Sequence, residues 1–521
     1  MFLILTNLVT SNPIILFAGA LFIRLLAGRG VSQSFDSYGH IYYAKELKCQ
    51  KKGPFGSIKT KVVWGDNLSL PFMWNWLIGF LPLSIVSKYQ KYFNPVIDAF
   101  FTLSIYLLAL KIGFEQGDAL LCCGLYLLTP MWFSRLSIGP RTSSFTPRLS
   151  GEIFTNIFFC VTILPIGAPG WMSILLGSVC CFYVLSSSKF GVQALLFLTP
   201  LVSLFSHTLL PIFSLILGIF LLATISEGAF LISLKQQLGH LRWYFYKNLK
   251  GETAISDRNK LGKVWFREKG VAPSKYILKI VRLSLMSNSF TGVLLKMPIL
   301  VFLIAGVFFL PRDAGSLFFL EPVFAGIIVY ILINIPCFLF LGEAERYLNH
   351  VAIFIVFGAV SLATVLQLQE YLWLFLLYGF IYLFCEAFFL PRLFKKIIQK
   401  QSEHDIIIDY LKSQEKGVVL SYPYHAGGGV YRIMAETDHR TVFLNAITED
   451  FAKKYQSIYE DKYPFADLSK LDDMHIDFGV DILIVSNDSV AKNLKSNWRP
   501  SNNWAEVSLG CELEKVYIYQ K

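Results

Sequence analysis

Eleven apolar stretches decide what this chain folds into: about 4–27, 92–112, 118–134, 152–168, 171–187, 191–207, 209–233, 297–311, 321–341, 350–367 and 370–390. Each runs near the ~20 residues that cross a bilayer core as a helix. In hydrocarbon every backbone N–H and C=O must be satisfied within the protein, so such stretches become helices. The charge content agrees: 16% of the 521 residues are charged, against ~25% in a soluble domain. Mean hydropathy is +0.52. The sequence predicts a polytopic α-helical membrane protein with about 11 transmembrane helices. Residues 1–27 show neither a basic leader nor a small-residue cleavage site, so they read as a retained first span. PFMWNWLIGFLPLSIV, 71–86, is interrupted by two prolines and Trp-Asn-Trp, and reads as a helix lying at the interface.

The transmembrane part is expected over 1–400 and a small soluble α/β domain over 401–521. In the latter, β-like runs (GVVLSY, RTVFLN, VDILIVS, EKVYIYQ) alternate with polar helix-like segments such as TEDFAKKYQSIYEDKY. With the N-terminus inside, 28–91 and 135–151 become outer loops, the turn at Ser188–Phe190 and residues 342–350 also face out, and an odd span count puts the C-terminal domain outside. The loop 234–296 holds 13 Lys/Arg against 3 Asp/Glu, which accounts for most of the net charge of +11. Such a loop prefers the cytoplasm, so its side and that of the C-terminal domain stay open. One basic loop is not a nucleic-acid surface; anionic lipid headgroups are its better partner. Seven of the nine cysteines lie inside apolar runs, with no CxxC or His/Cys ligand spacing, so neither a zinc site nor a disulfide framework is expected.

Polar residues gather at the ends of the apolar runs. FDSYGHIYYAKELK opens the first outer loop as a helix, with Tyr38, Ile41 and Tyr42 on one side and Asp36 and His40 four apart. Asp36 is either a helix cap or a general base whose affinity for protons is raised at the bilayer edge. PRTSSFTPRLSGE brings Arg141, Arg148 and Glu152. It reads either as a helix start, with Ser150 as cap, or as a phosphate site, since guanidinium groups match phosphate oxygens. Lys189, in SSSKFG, either snorkels or contacts phosphate. GEAERYLNH adds Arg346 and Tyr347, in a solvated boundary or beside a ligand. The three glycines of YHAGGGVYR follow a β-run; without a following Lys-Ser/Thr they read as a flexible turn before a phosphate cradle. Trp64 and Trp74 either stack on a sugar or anchor the interface.

The order of these features resembles the GT-C superfamily of integral-membrane glycosyltransferases. That group includes oligosaccharyltransferase catalytic subunits, protein O-mannosyltransferases and aminoarabinose transferases. The carrying residues are a first span, FDSYGH in the first outer loop, W-L-x-G-F-L-P, the turn KIGFEQGD, a third span ending in TPMWFSR, and Glu152 at the start of the fourth. The likeness covers roughly 1–233 and extends loosely to Glu345-Arg346-Tyr347. It implies transfer of a sugar from a polyprenyl-phosphate donor to a glycan, lipid or protein acceptor on the extracytoplasmic face of a cell membrane, by inverting displacement. It further implies Asp36 as catalytic carboxylate; His40, Tyr38 and Glu152 on the sugar or acceptor; and Arg141, Arg148, Lys189, Arg346 and Tyr347 near the donor phosphate. The second outer loop lacks the acidic pair of the oligosaccharyltransferases, so no cofactor is expected and a divalent metal is not indicated. Two other readings are a transporter or lipid flippase, for which no internal symmetry is found, and a polysaccharide polymerase or ligase.

Overall fold

The computed structural model describes residues 13–29, 35–63, 67–134, 136, 144–167, 169–249, 259, 280, 284, 288–310, 317–389, 395–442, 466–487 and 499–520. Arg141, Trp64, TEDFAKKYQSIYEDKY and most of the basic loop lie outside these residues. A helix lies under each of the eleven apolar stretches. Among the described residues three are long and apolar enough to cross a membrane, Leu83–Lys111, Gly170–Ser187 and Gln369–Phe388, and two bent pairs, Leu210–Ile225 with Ala229–Tyr246 and Ser289–Lys296 with Pro298–Val307, would add two more if each is one span. Five others, from Pro13–Ala27 to Ala352–Val365, run 10–17 residues. At 1.5 Å per residue, even the longest of these reaches about 26 Å, short of the ~30 Å hydrocarbon core. Eleven full spans therefore do not follow from helix length. Prolines interrupt two of the stretches. Pro130 ends one helix by opening a new turn, and Pro298 bends Ser289–Lys296 from Pro298–Val307 by 88°.

The chain divides into two compact units. The first comprises residues 1–31, 90–227 and 254–391 and holds nearly all the apolar helices. Its most constrained interior group is Arg24, on Pro13–Ala27, which has no exposed surface. The guanidinium pairs with the Asp98 carboxylate on Leu83–Lys111 and donates to the Leu127 carbonyl at 2.8 Å. It also lies over the Tyr126 ring at 5.3 Å, and the Tyr126 hydroxyl donates to Asp98. Three helices are thus tied by one charge pair. Close backbone approach supplies the next constraint: a Cβ on Gly379 would collide with the Leu128 carbonyl.

The second unit comprises residues 32–89, 228–253 and 392–521. Its sheet runs in the order β4 (Arg440–Thr441), β3 (Val418–Tyr422), β5 (Val480–Ser486), β7 (Glu514–Tyr519), β6 (Trp504–Val507). The first three strands are parallel and the last two antiparallel. A two-residue pairing of β1 (Ile58–Lys59) with β2 (Asn67–Leu68) sits in the first loop.

Side chains alternate across β3 and β5, and both faces are apolar. Val419, Ile482 and Ile484 pack under the Lys395–Ser413 helix through Ile407, Ile408 and Leu411. Val418, Leu420, Leu483 and Val485 face the other way, and the first loop covers them with Tyr42, Tyr43 and Phe72 among others. The loop also extends the sheet: Val63 N donates to Thr441 O at 3.0 Å, and Thr441 N to Lys61 O at 3.2 Å. Residues 32–89 and the C-terminal residues thus share one core.

Arg24→Met should cost roughly 3–5 kcal/mol, because it leaves the Asp98 charge buried without its counter-ion. The double variant Arg24→Met/Asp98→Leu should recover much of that loss. Thermal unfolding in detergent checks this; equal losses in the single and double variants would refute the pairing as the cause.

Candidate functional site

Phe35–Cys49 forms the helix that FDSYGHIYYAKELK leads one to expect, with Asp36 exposed in its first turn. The tyrosines beneath it are structural. Tyr38, Tyr42 and Tyr43 are buried, and Tyr42 Oη accepts from Lys61 N at 2.7 Å. Tyr43 and Tyr431 share a hydroxyl hydrogen bond of 3.0 Å. The Tyr431 ring approaches at Gly39, where a Cβ would meet it at 3.3 Å. Arg432 lies over the Tyr38 ring at 5.1 Å and is itself held by Asp405 at 2.6 Å and Glu436 at 3.3 Å. Burial holds the Tyr38 hydroxyl well above the usual tyrosine range, with the Arg432 charge pulling the other way. His40 is half-buried; Asn75, on the Met73–Gly79 helix, has its amide nitrogen 3.0 Å from His40 Nδ1 and donates to the His40 carbonyl at 2.9 Å. With Asn75 as donor, Nδ1 keeps its lone pair and the ring proton sits on Nε2.

The segment YHAGGGVYR therefore faces the Asp36 helix. Its glycines take φ of +67°, +82° and +91°, which other residues resist. Gly427 N donates to Glu514 Oε2 at 2.8 Å, so that amide is already committed within the protein. The turn hands over directly to the Val430–Glu436 helix, which carries Tyr431 and Arg432. Tyr424 is pushed up to about 12, first by burial and next by the negative charge of Asp36. The negative charge of Asp36 is thus felt by phenols of both chain segments, Tyr43 and Tyr424, a coupling that its own local sequence does not reveal.

The cationic residues gather in the first unit. The helix bearing Arg148 and Glu152 is Pro147–Ile163, opened by a proline at its first position. Ser150 and Glu152 consequently lie inside it, and the Ser150 hydroxyl donates to the Pro147 carbonyl. Ser188 caps the next element of the site, accepting from Gly191 N at 3.1 Å, so that Lys189 and Phe190 begin the Lys189–Phe205 helix. Both guanidinium groups lie over the Phe190 ring, Arg148 at 5.7 Å and Arg346 at 4.4 Å. Glu343 balances Arg346 at 2.8 Å. Gly342, at φ +113°, leaves room for the Phe190 ring; a Cβ there would meet it at 2.8 Å.

Glu152 is fully buried and accepts from Asn349 Nδ2 at 3.2 Å. Asn156 joins the same turn. Its amide donates to the Asn349 carbonyl at 2.9 Å, and its oxygen accepts from Ile353 N at 3.0 Å. The Tyr347 hydroxyl donates to Gln193 at 3.1 Å. Arg148, Glu152, Arg346 and Tyr347 are thereby linked across three elements, with Lys189 next to Phe190 in sequence, while Asp36, Tyr38 and His40 belong to the other unit. Phe190, Asn156, Gln193 and Asn349 were not singled out from sequence. The GGGVYR turn was, but nothing local tells that it meets the Asp36 helix.

Close packing sets the cation cluster: a Cβ on Gly151 would sit 2.7 Å from Ser188 Cβ. Gly151→Ala should therefore destabilise by about 1–3 kcal/mol. Thermal unfolding in detergent tests it; an unchanged midpoint would contradict the packing.

No family model and no curated protein matches this chain. Among solved structures it is similar to the Archaeoglobus fulgidus oligosaccharyltransferase in complex with Zn and sulfate, with a TM-score of 0.49 and 11% identity over 91% of this chain and 68% of that chain. It is also similar to AglB from Archaeoglobus fulgidus in complex with an inhibitory peptide and a dolichol-phosphate, with a TM-score of 0.48 and 10% identity over 94% of this chain and 72% of that one. At these values no residue role is carried across. Both of these solved structures are of an archaeal oligosaccharyltransferase.

Proposed function

We propose that this protein is a multi-pass membrane glycosyltransferase that moves a sugar from a polyprenyl-phosphate donor to an acceptor on the extracytoplasmic side. The observation that carries the reading is the pair of guanidinium groups, Arg148 and Arg346, over one phenylalanine ring within a set of apolar helices. Two cations at one aromatic ring concentrate positive charge there, and Glu343 pairs with Arg346 at 2.8 Å. A donor phosphate suits such a pair, because guanidinium forks match its oxygens. The donor's prenyl tail would lie among the exposed apolar faces of the helices, so no soluble nucleotide site is required.

In this reading the acceptor oxygen attacks the anomeric carbon. The bond from that carbon to the donor phosphate oxygen breaks, and the polyprenyl phosphate leaves. Asp36 takes the acceptor proton from an exposed position in the first turn of its helix. Arg148, Arg346, Lys189 and Arg141 carry the charge of the departing phosphate. Glu152, held by Asn349, and Tyr347 orient the site, and His40 is the acceptor-side contact.

The test is release of polyprenyl phosphate by the purified protein in lipid with a panel of polyprenyl-phosphate sugars. Asp36→Asn should fold normally and lower kcat by about 10²–10⁴-fold, the usual range for a general base. Retained turnover would remove Asp36 from the chemistry. Arg346→Gln and Arg148→Gln should each raise the donor KM by roughly 10–100-fold, as loss of a charged hydrogen bond does, and leave acceptor KM unchanged. Unchanged donor KM in both would place the phosphate elsewhere.

A further inference from the structure

The Ala229–Leu249 helix packs one side into the unit formed by 32–89, 228–253 and 392–521. Phe230, Ser233 and Gln237 are buried, Trp243 rests on the core, and Gln236 Oε1 accepts from Ser69 N at 2.9 Å. The opposite side has an unusual composition for water. Leu231, Ile232, Leu238 and Tyr246 are 59%, 56%, 57% and 54% exposed. Lys235 and Arg242 are exposed between them. Positions 231, 235, 238, 242 and 246 step by three or four, so they form one stripe along the helix. A second exposed apolar group stands in the same unit: Leu77 and Phe80, 42% and 68% exposed, flank Trp76, which packs on the same core as Trp243.

We infer that this stripe is a membrane-surface contact that selects anionic lipid. Leucine, isoleucine and tyrosine side chains sink into the headgroup boundary, where amphipathic helices lie. The apolar stems of Lys235 and Arg242 follow them while their charges reach lipid phosphates. The charge supports lipid over an apolar protein partner: the surrounding stretch 234–296 has 13 Lys/Arg against 3 Asp/Glu. A spanning role for this helix is disfavoured by its buried polar side on a sheet-containing unit and by its three cations, Lys235, Arg242 and Lys247. The inference does not depend on the transferase reading.

The test uses the full-length protein in lipid nanodiscs, with Cys49, Cys337, Cys385 and Cys511 replaced by serine. A spin label is placed at Leu238→Cys, at Tyr246→Cys or, as a water-facing control, at Ile476→Cys, a position 78% exposed. Collisions are compared between oxygen, which partitions into lipid, and a water-soluble nickel chelate. Labels at 238 and 246 should collide preferentially with oxygen in discs containing phosphatidylglycerol, while the label at 476 collides preferentially with nickel. The lipid signature should weaken in pure phosphatidylcholine, and Lys235→Glu/Arg242→Glu should abolish its dependence on the anionic lipid. Nickel-accessible labels at 238 and 246 in both discs would overturn the contact. Labels shielded from both agents would overturn it in favour of a protein partner. Equal signatures in the two lipids would overturn the anionic selectivity.

Discussion

A guanidinium with no exposed surface must find its counter-charge inside the protein, and Arg24 does so at Asp98. The arrangement of the first unit follows from that requirement. Desolvating either charge alone carries a penalty of several kcal/mol, so the helices bearing them come into register, and Tyr126 and the Leu127 carbonyl fill the remaining hydrogen-bonding capacity. Arg346 obeys the same rule differently. It meets a carboxylate at 2.8 Å and the face of Phe190, and among the described residues its Nε has no hydrogen-bond partner. Arg24 is a closed structural group; Arg346 retains a donor. That contrast, rather than mere presence of arginine near a membrane, separates a staple from a ligand-binding candidate.

The second unit answers a different constraint. A parallel strand with apolar residues on both faces needs cover on both faces. The Lys395–Ser413 helix supplies one cover, and the first loop supplies the other. The helix that presents Asp36 is therefore no freestanding loop element. It is one wall of the core that Val418, Leu420, Leu483 and Val485 require. Tyr43, Tyr431, Tyr38 and Arg432 hold that wall by one hydroxyl pair and one cation–ring contact, worth about 1 kcal/mol and 0.5–2 kcal/mol when such contacts are desolvated. Placement of the exposed carboxylate is thus coupled to residues almost 400 positions away in sequence.

Much of this was legible in sequence because it depends on short-range pattern. Apolar runs marked where the helices fall, and VDILIVS is β5 residue for residue. GVVLSY and EKVYIYQ contain β3 and β7. The length of the helices was less legible, because Pro130 divides the run 118–134, which hydropathy averages into one. β6, Trp504–Val507, was missed: only Trp504 along it is buried, so it lacks the alternating apolar pattern of a half-buried strand. The pairing of 61–63 with Thr441 is also invisible locally, since an edge addition is made by backbone atoms whose partner lies far along the chain.

The site shows the same division between kind and partner. Arginine, lysine and carboxylate at the ends of apolar runs stand out because such residues are costly there. What converts them into an arrangement is made of residues with no signal of their own. Gly151 matters because Ser188 comes within reach, Gly342 because Phe190 does, and Asn156 because a turn near Asn349 has a free carbonyl to accept from it. Each is a response to a neighbour distant in sequence. Phe190 carries the point furthest: as one of 46 phenylalanines it is anonymous, yet it is the surface on which two cations from separate elements meet. A ring face attracts cations without neutralising them, so the two guanidinium groups gather at Phe190 although they come from separate elements.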